Sequence, residues 1–383
     1  MDILAIIFLI LLVNTYLIKA LVNRFDIASE RYLWVMFIVH FLMTSAYMLY
    51  AYFTASDSVA YYDTAQASEE WLVFFKTGTP FIHFLAWPFI AVIGLSYYAV
   101  MLLFSYFGYL AVLYFYVTAR ENIKLKPVLQ TWSATELIFL LPNLHFWTSS
   151  LGKGSPIVFG LAMFTFGLSR FNRRLMPILI GSVLVFFIRP HIFFTLVAAV
   201  MVGIFVTRSG IKSYLKWLIF LLALFLFIYF SGDVLKFTDT ESLDITSSSV
   251  ISHRAEELSK SGSGVNIKEY GIVMKLLTFW FRPLFFDGQG AFGIIVSFEN
   301  LVYIFMFIML LWQGALHWVR WNGWFRICTF IFFMGSFILA QVTGNLGLAM
   351  RQKAQFMPFF FIIFLYALSY RYRDQANKVF ISR

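Results

Sequence analysis

The 383-residue chain contains a single cysteine, Cys328, so it cannot form a disulfide within itself. That residue lies in an apolar run, where it reads as a small packing side chain. Charge is also scarce. Asp, Glu, Lys and Arg make up 13% of the residues, against about 25% in soluble domains. Neither His145 nor His191 stands at metal-ligand spacing from another His or Cys. The start, Met1-Asp2, lacks the basic region of a signal peptide, and Lys19 follows the first apolar run, which predicts a retained helix. No repeat or low-complexity tract appears. Gly344-Asn345-Leu346-Gly347 is no phosphate loop, because it lacks the Lys-Ser/Thr pair.

Apolar and aromatic residues are abundant. The chain is 61% hydrophobic and 21% aromatic, with 48 Phe, 20 Tyr and 11 Trp, and its mean hydropathy is +0.80. Eleven runs are long enough to cross a bilayer, at 3–21, 32–53, 97–118, 129–147, 155–170, 174–188, 191–207, 215–231, 289–312, 325–342 and 355–371. Several are short and need tilt or a thin bilayer. The pattern predicts an all-α, polytopic membrane domain over 1–383, with Trp and Tyr anchoring at the interfaces.

The net charge of +10 does not indicate nucleic acid. The basic residues fall in short clusters between apolar runs: Lys19 to Arg31, Arg120 to Lys126, Arg170 to Arg174, Arg208 to Lys216, Arg320 to Arg326 and Arg371 to Lys378. All lie on one side if the N-terminus is outside and the C-terminus is cytoplasmic, as the positive-inside rule requires. This assignment depends on 80–94, which contains His83 and Pro88. Read as a span, it would invert everything after it. It is short, and reads as a helix along the outer surface.

Two outer segments are then long. The first, 54–96, carries Asp57, Asp63, Glu69, Glu70 and Lys76. The second, 232–288, is polar to about 270, and its Ser247-Ser248-Ser249 and Ser261-Gly262-Ser263-Gly264 stretches have the composition of a mobile loop. Its end, 271–286, reads as a second surface helix with Trp280, Phe281, Phe285 and Phe286 dipping into lipid.

Within Ser56-Asp57-Ser58-Val59-Ala60-Tyr61-Tyr62-Asp63, Asp57 suits either a general base at the membrane surface or a helix cap. Several basic residues on the outer side run against the orientation rule, among them Lys153, Arg189, Arg282, Arg351 and Lys353. Arginine forks and lysine point charges match phosphate, so as a set they suggest a lipid phosphate or pyrophosphate site. Singly, each also suits snorkelling or an internal ion pair. Glu299 falls inside an apolar helix and needs a partner, for which Arg189 or Arg282 is the simplest choice. His145 and His191 have the chemistry of proton relays. His40, His83 and His317 read as packing or interface residues.

The order of these features resembles the GT-C superfamily of membrane glycosyltransferases. In that family an acidic residue follows an early helix in the first outer loop, and a surface helix like 79–94 comes next. Several stretches are similar to bacterial polysaccharide-biosynthesis, repeat-unit polymerase-like membrane proteins. These are Pro142 to Lys153, Ile188-Arg189-Pro190, Phe281-Arg282-Pro283 with Phe298-Glu299-Asn300, and Asn345 to Arg351. Gly154 departs from the pattern, where an acidic residue often follows the lysine.

The resemblance implies transfer of a sugar from a polyprenyl-phosphate or polyprenyl-pyrophosphate donor to a glycan, lipid or protein acceptor, on the outer face of a bacterial plasma membrane. Asp57 would be catalytic. Arg189, Arg282, Arg351, Lys153 and Lys353 would bind phosphate, with Asp63, Tyr61, Tyr62, His191 and Glu299 in support. A divalent cation, Mg or Mn, at Asp57 and Asp63 is compatible but not required. A lipid-linked sugar transporter or flippase would use the same cations without a base. A non-catalytic scaffold of an export complex would need neither.

Overall fold

The computed structural model describes residues 1–25, 27, 29–54, 56–128, 132–206, 214, 217, 218, 220, 221, 225, 270–287, 290–313 and 322–381. The expected span 215–231 and the Ser/Gly-rich part of 232–288 lie almost wholly outside these residues. Helix is the only extended regular structure among the described residues. The chain divides into two compact units, Met1–Pro190 and His191–Arg383.

The first unit holds α1 (Asp2–Arg24), α2 (Glu30–Phe53), α3 (Asp57–Ala67), α4 (Thr79–Trp87), α5 (Tyr97–Asn122), α6 (Ala134–Ile138), α7 (Pro142–Trp147), α8 (Gly154–Leu168) and α9 (Leu175–Ile188). In the second are α10 (Pro190–Val206, starting at the junction), α11 (Ile272–Phe281), α12 (Gly290–Gln313), α13 (Gly323–Val342), α14 (Leu346–Lys353) and α15 (Met357–Ile381). Among the described residues, five helices are long and apolar enough to cross a membrane: α1, α2, α5, α12 and α13. The pair α14 and α15 makes a sixth if counted together, bent by 57° at the break. The chain is an integral membrane protein.

Each end of the first unit can be traced from contacts. The Asp2 carboxylate accepts a hydrogen bond from the Ser96 N–H at 2.7 Å, so the start of α1 and the start of α5 share one end. Ser58 on α3 and Tyr97 on α5 pair through their hydroxyls at 2.7 Å. Tyr62 donates to the Leu95 carbonyl at 3.0 Å. Helix α2 therefore ends where α5 begins, and the stretch between them does not cross the unit. A helix forms over Thr79–Val92, its last turn widened from Pro88 to Val92.

The expected continuous span 129–147 does not form. Its described part is two short helices. Ser133 and Glu136 make a capping box at the start of α6, and Pro142 opens α7 from an extended Leu141. Proline has no N–H and fits the first helical position, so it starts a new helix here and cannot continue the old one. The broken segment still runs alongside α2. Tyr32 donates to the Glu136 carbonyl at 2.9 Å, His40 pairs with His145, and Ser149 donates to the Met43 carbonyl at 3.5 Å.

Glycines set how closely this unit packs. A Cβ at Gly108 of α5 would lie 1.8 Å from the Thr148 carbonyl oxygen. The turn from α7 to α8 thus rests on the α5 backbone. Helices α8 and α9 meet through Gly160, Gly167 and Gly181, and a Cβ at Gly181 would lie 2.4 Å from the Gly160 carbonyl oxygen. Small residues at such a seam let two backbones approach within the membrane.

In the second unit, Trp280 is buried and stacks on Phe332 with ring centroids 5.3 Å apart. Helix α11 covers only Ile272–Phe281 of the expected 271–286; Trp280 faces the protein, and of the four aromatic residues Phe285 and Phe286 are exposed. Cys328 is buried in α13, as its apolar run predicts.

Candidate functional site

Asp57 opens α3, and the cap of that helix is its neighbour Ser56, whose hydroxyl accepts from the Ser58 N–H at 3.4 Å. The capping role considered for Asp57 therefore belongs to Ser56. Asp57 is exposed in the first turn, where a carboxylate suits the helix dipole. Asp63 is exposed on the same helix. Six residues of helix separate the two by about 9 Å along the axis and turn them to different faces. Metal–oxygen bonds are about 2.0–2.6 Å long, so this pair does not converge on one ion. No group of three or more His, Cys, Asp or Glu suited to a metal occurs among the described residues.

Tyr61 is buried and Tyr62 half-buried. His83 of α4 lies against Tyr61, with ring centroids 5.5 Å apart, and its Nδ1 is 3.3 Å from the Tyr61 carbonyl. Burial pulls the His83 imidazole below its ordinary range. The Tyr61 carbonyl opposes this, and the positive charge of Lys153 adds to it. Lys153 thus lies close enough to act on α4. It closes the turn after α7, where Trp147 packs on Tyr47 of α2 at 6.3 Å. Gly78 donates to the Phe187 carbonyl at 2.7 Å, and Phe81 stacks on Phe187, so α4 lies against the end of α9. Arg189 follows α9 directly. One end of the first unit therefore gathers Asp57, Tyr61, Tyr62, Asp63, Lys153 and Arg189. A cavity of about 390 Å³ there is lined by Met48, Ala51, Tyr52, Val59, Tyr62, Asp63, Tyr97 and Tyr98.

The second unit brings together the motif around Arg282, the one around Asn300 and the end of α14. Lys353 is 1% exposed. Its Nζ donates to Asn300 Oδ1 at 2.6 Å, to the Arg282 carbonyl at 3.1 Å and to the Trp280 carbonyl at 3.3 Å. Three donors meet three acceptors, which leaves none for a phosphate. Lys353 is therefore an interior tie rather than a ligand. Asn300 in turn donates to the Pro283 carbonyl at 2.6 Å.

Arg282 pairs with Asp287 and not with Glu299. Its Nε donates to Asp287 Oδ2 at 2.8 Å, with a second, shorter contact through the other nitrogen and oxygen. The Asp287 bond raises the Arg282 pKa further. Burial pushes Asp287 up, but hydrogen bonds from Arg282 and the Leu284 N–H outweigh it and hold the carboxyl below the usual range. Glu299 accepts from Tyr303 and supplies the negative charge acting on Lys353. Arg351 is half-buried in the last turn of α14, whose cap is Asn345. His191 opens α10, and its carbonyl accepts from Thr195 at 2.7 Å.

Sequence reasoning missed the pairing of the buried His40 and His145. Their Nδ1 atoms are 3.0 Å apart, and each Nε2 lies 2.9 Å from a backbone carbonyl, of Ser105 and Phe139 respectively. A carbonyl only accepts, so each Nε2 carries a proton. A hydrogen bond between the two Nδ1 atoms then requires one more. The partners are 105 positions apart in sequence.

Comparison with protein-family models, with curated proteins and with solved structures returned no match. The functional reading rests on the chain's own residues.

Proposed function

We propose that the chain is a membrane glycosyltransferase that moves a sugar from a polyprenyl-phosphate or polyprenyl-pyrophosphate donor to an acceptor hydroxyl on the outer face of a bacterial plasma membrane. The observation behind this reading is a tyrosine-lined cavity, with Asp63 in its wall, at the end of the first unit where the exposed Asp57 opens its helix. Tyrosine rings offer an apolar face to a sugar and a hydroxyl at its rim. Asp57 takes the proton of the acceptor hydroxyl. The acceptor oxygen bonds to the anomeric carbon, and the bond from that carbon to the phosphate oxygen breaks. The leaving phosphate keeps the electron pair, and Lys153 and Arg189 stabilise its charge. Crossings beyond the five or six long apolar helices, with the N-terminus outside and the C-terminus in the cytoplasm, complete the reading.

The test is Asp57→Asn in the full-length protein, with glycan product and retained donor lipid both measured. Loss of product with donor still bound supports the enzyme. Product formed at the wild-type rate refutes the role of Asp57, and undiminished movement of donor across the membrane without transfer would favour a flippase.

A further inference from the structure

The opposite end of the first unit carries a second cavity, of about 310 Å³, that the proposed reaction does not use. Its walls come from the ends of α1, α5 and α8 and from the turn between α8 and α9. Arg24, Lys124, Arg170, Arg173 and Arg174 line it, with one carboxylate, Glu121.

These cations do different work. Arg174 grips both oxygens of Glu121 at 2.8 Å, donates to Ser169 Oγ at 3.2 Å and lies 3.8 Å from the centre of the Phe166 ring. It is fixed and forms the wall. Arg170 approaches Glu121 Oε1 at 3.4 Å. Arg24 and Arg173 are exposed at the rim.

Charge counting decides whether the cavity satisfies itself. Lys124 has a partner of its own and is left out of the count; four arginines and one carboxylate leave a formal +3. Three helix C-termini contribute roughly −0.5 each, which leaves about +1.5. That surplus matches one phosphate group. The positive-inside rule alone asks only for positive charge between spans, and does not require its side chains to frame a cavity.

We propose that this cavity binds the phosphate of an anionic lipid headgroup. It lies at the ends of apolar helices, at the level where headgroups sit, and Phe171 in the same turn is exposed, placed to enter the acyl boundary. Basic pockets between helices on this side of a membrane take such headgroups. A free phosphate offers the same chemistry, and the experiment separates the two sources.

Full-length protein in a neutral detergent is melted with added phosphatidylglycerol, phosphatidylcholine or inorganic phosphate. The comparison is Arg24→Gln with Arg173→Gln, which removes two exposed rim charges and leaves the Arg174–Glu121 wall intact. Phosphatidylglycerol should raise the wild-type melting temperature and phosphatidylcholine should not. Apparent affinity should fall about 5-fold for each charge lost and about 30-fold for both. If inorganic phosphate stabilises as well as the lipid does, the phosphate site stands and its source is soluble. Either of two results overturns the site: no stabilisation by any phosphate compound, or equal stabilisation of wild type and double variant.

Discussion

Replacing Lys353 with methionine tests the interior of the second unit most directly. Methionine keeps the length and the apolar stem of the side chain and deletes the ammonium. Three acceptors then lose their donor: Asn300 Oδ1 and the carbonyls of Arg282 and Trp280. Each buried acceptor left unpaired costs about 1–3 kcal/mol. Glu299, which is 5% exposed, also loses its counter-charge. Breaking a buried pair from one side costs about 3–5 kcal/mol, and that figure contains much of the hydrogen-bond loss. For a unit of this size about 1 kcal/mol moves Tm by about 2–4 °C, so the expected fall is about 6–20 °C. The chain supplies its own probe. Cys328 is its only cysteine, is fully buried, and lies in the same unit. A maleimide dye that fluoresces on reaction reports its exposure as the protein is heated. Lys353→Met with Glu299→Gln should recover part of the loss, because the stranded carboxylate is gone. A fall of less than about 2 °C in the single variant would refute the claim that this ammonium ties the motifs together.

Gly181→Leu should separate α8 from α9, because even its Cβ would lie 2.4 Å from the Gly160 carbonyl oxygen. The expected cost is at least about 3 kcal/mol, read as loss of folded protein on detergent size exclusion. Asp287→Asn should lower Tm near neutral pH, with a cost of about 1–2 kcal/mol for this partly exposed pair. Asp287 has a depressed pKa in the folded protein, so its contribution is present above the ordinary carboxylate pKa and is lost as pH falls through the folded value. The wild-type advantage over the variant should therefore shrink below about pH 4 in melts across pH 3–7. His40→Phe should leave the His145 Nδ1 without its partner and destabilise by about 1–3 kcal/mol. His40→Phe with His145→Phe should cost less than the sum of the two singles, measured as a double-mutant cycle on Tm.

Length and apolarity made the long helices legible. A helix that must cross lipid shows itself as a run without charge, and α1, α2, α5, α12 and α13 appear at the expected places. That the stretch holding the helix at 79–92 returns to the end it left was legible for another reason, since treating it as a span would break the charge pattern on both sides. The break at Pro142 was also written in the sequence. Ser133-x-x-Glu136 is a capping box, and Pro142 lies where a helix begins. Hydropathy averaged over 129–147 hides both. The partners of the buried ionic groups were not legible. Lys353 finds Asn300 at a separation of 53 residues, and Glu121 finds Arg174 at the same separation. Such pairs follow from helix packing, and a single sequence gives no register for it. Arg282 was the opposite case. Its partner Asp287 is five residues away, and the more conspicuous intramembrane Glu299 drew the assignment instead.

The glycine seam between α8 and α9 bears on how the protein enters the membrane during synthesis. At 15 and 14 residues these helices are about 22 Å long, against a hydrocarbon core of about 30 Å. Alone, each is a poor stop for the insertion machinery. Joined by a short arginine-bearing turn and closed along Gly160, Gly167 and Gly181, they present one two-helix wedge. A pair closed in this way does not require either short helix to settle in lipid alone.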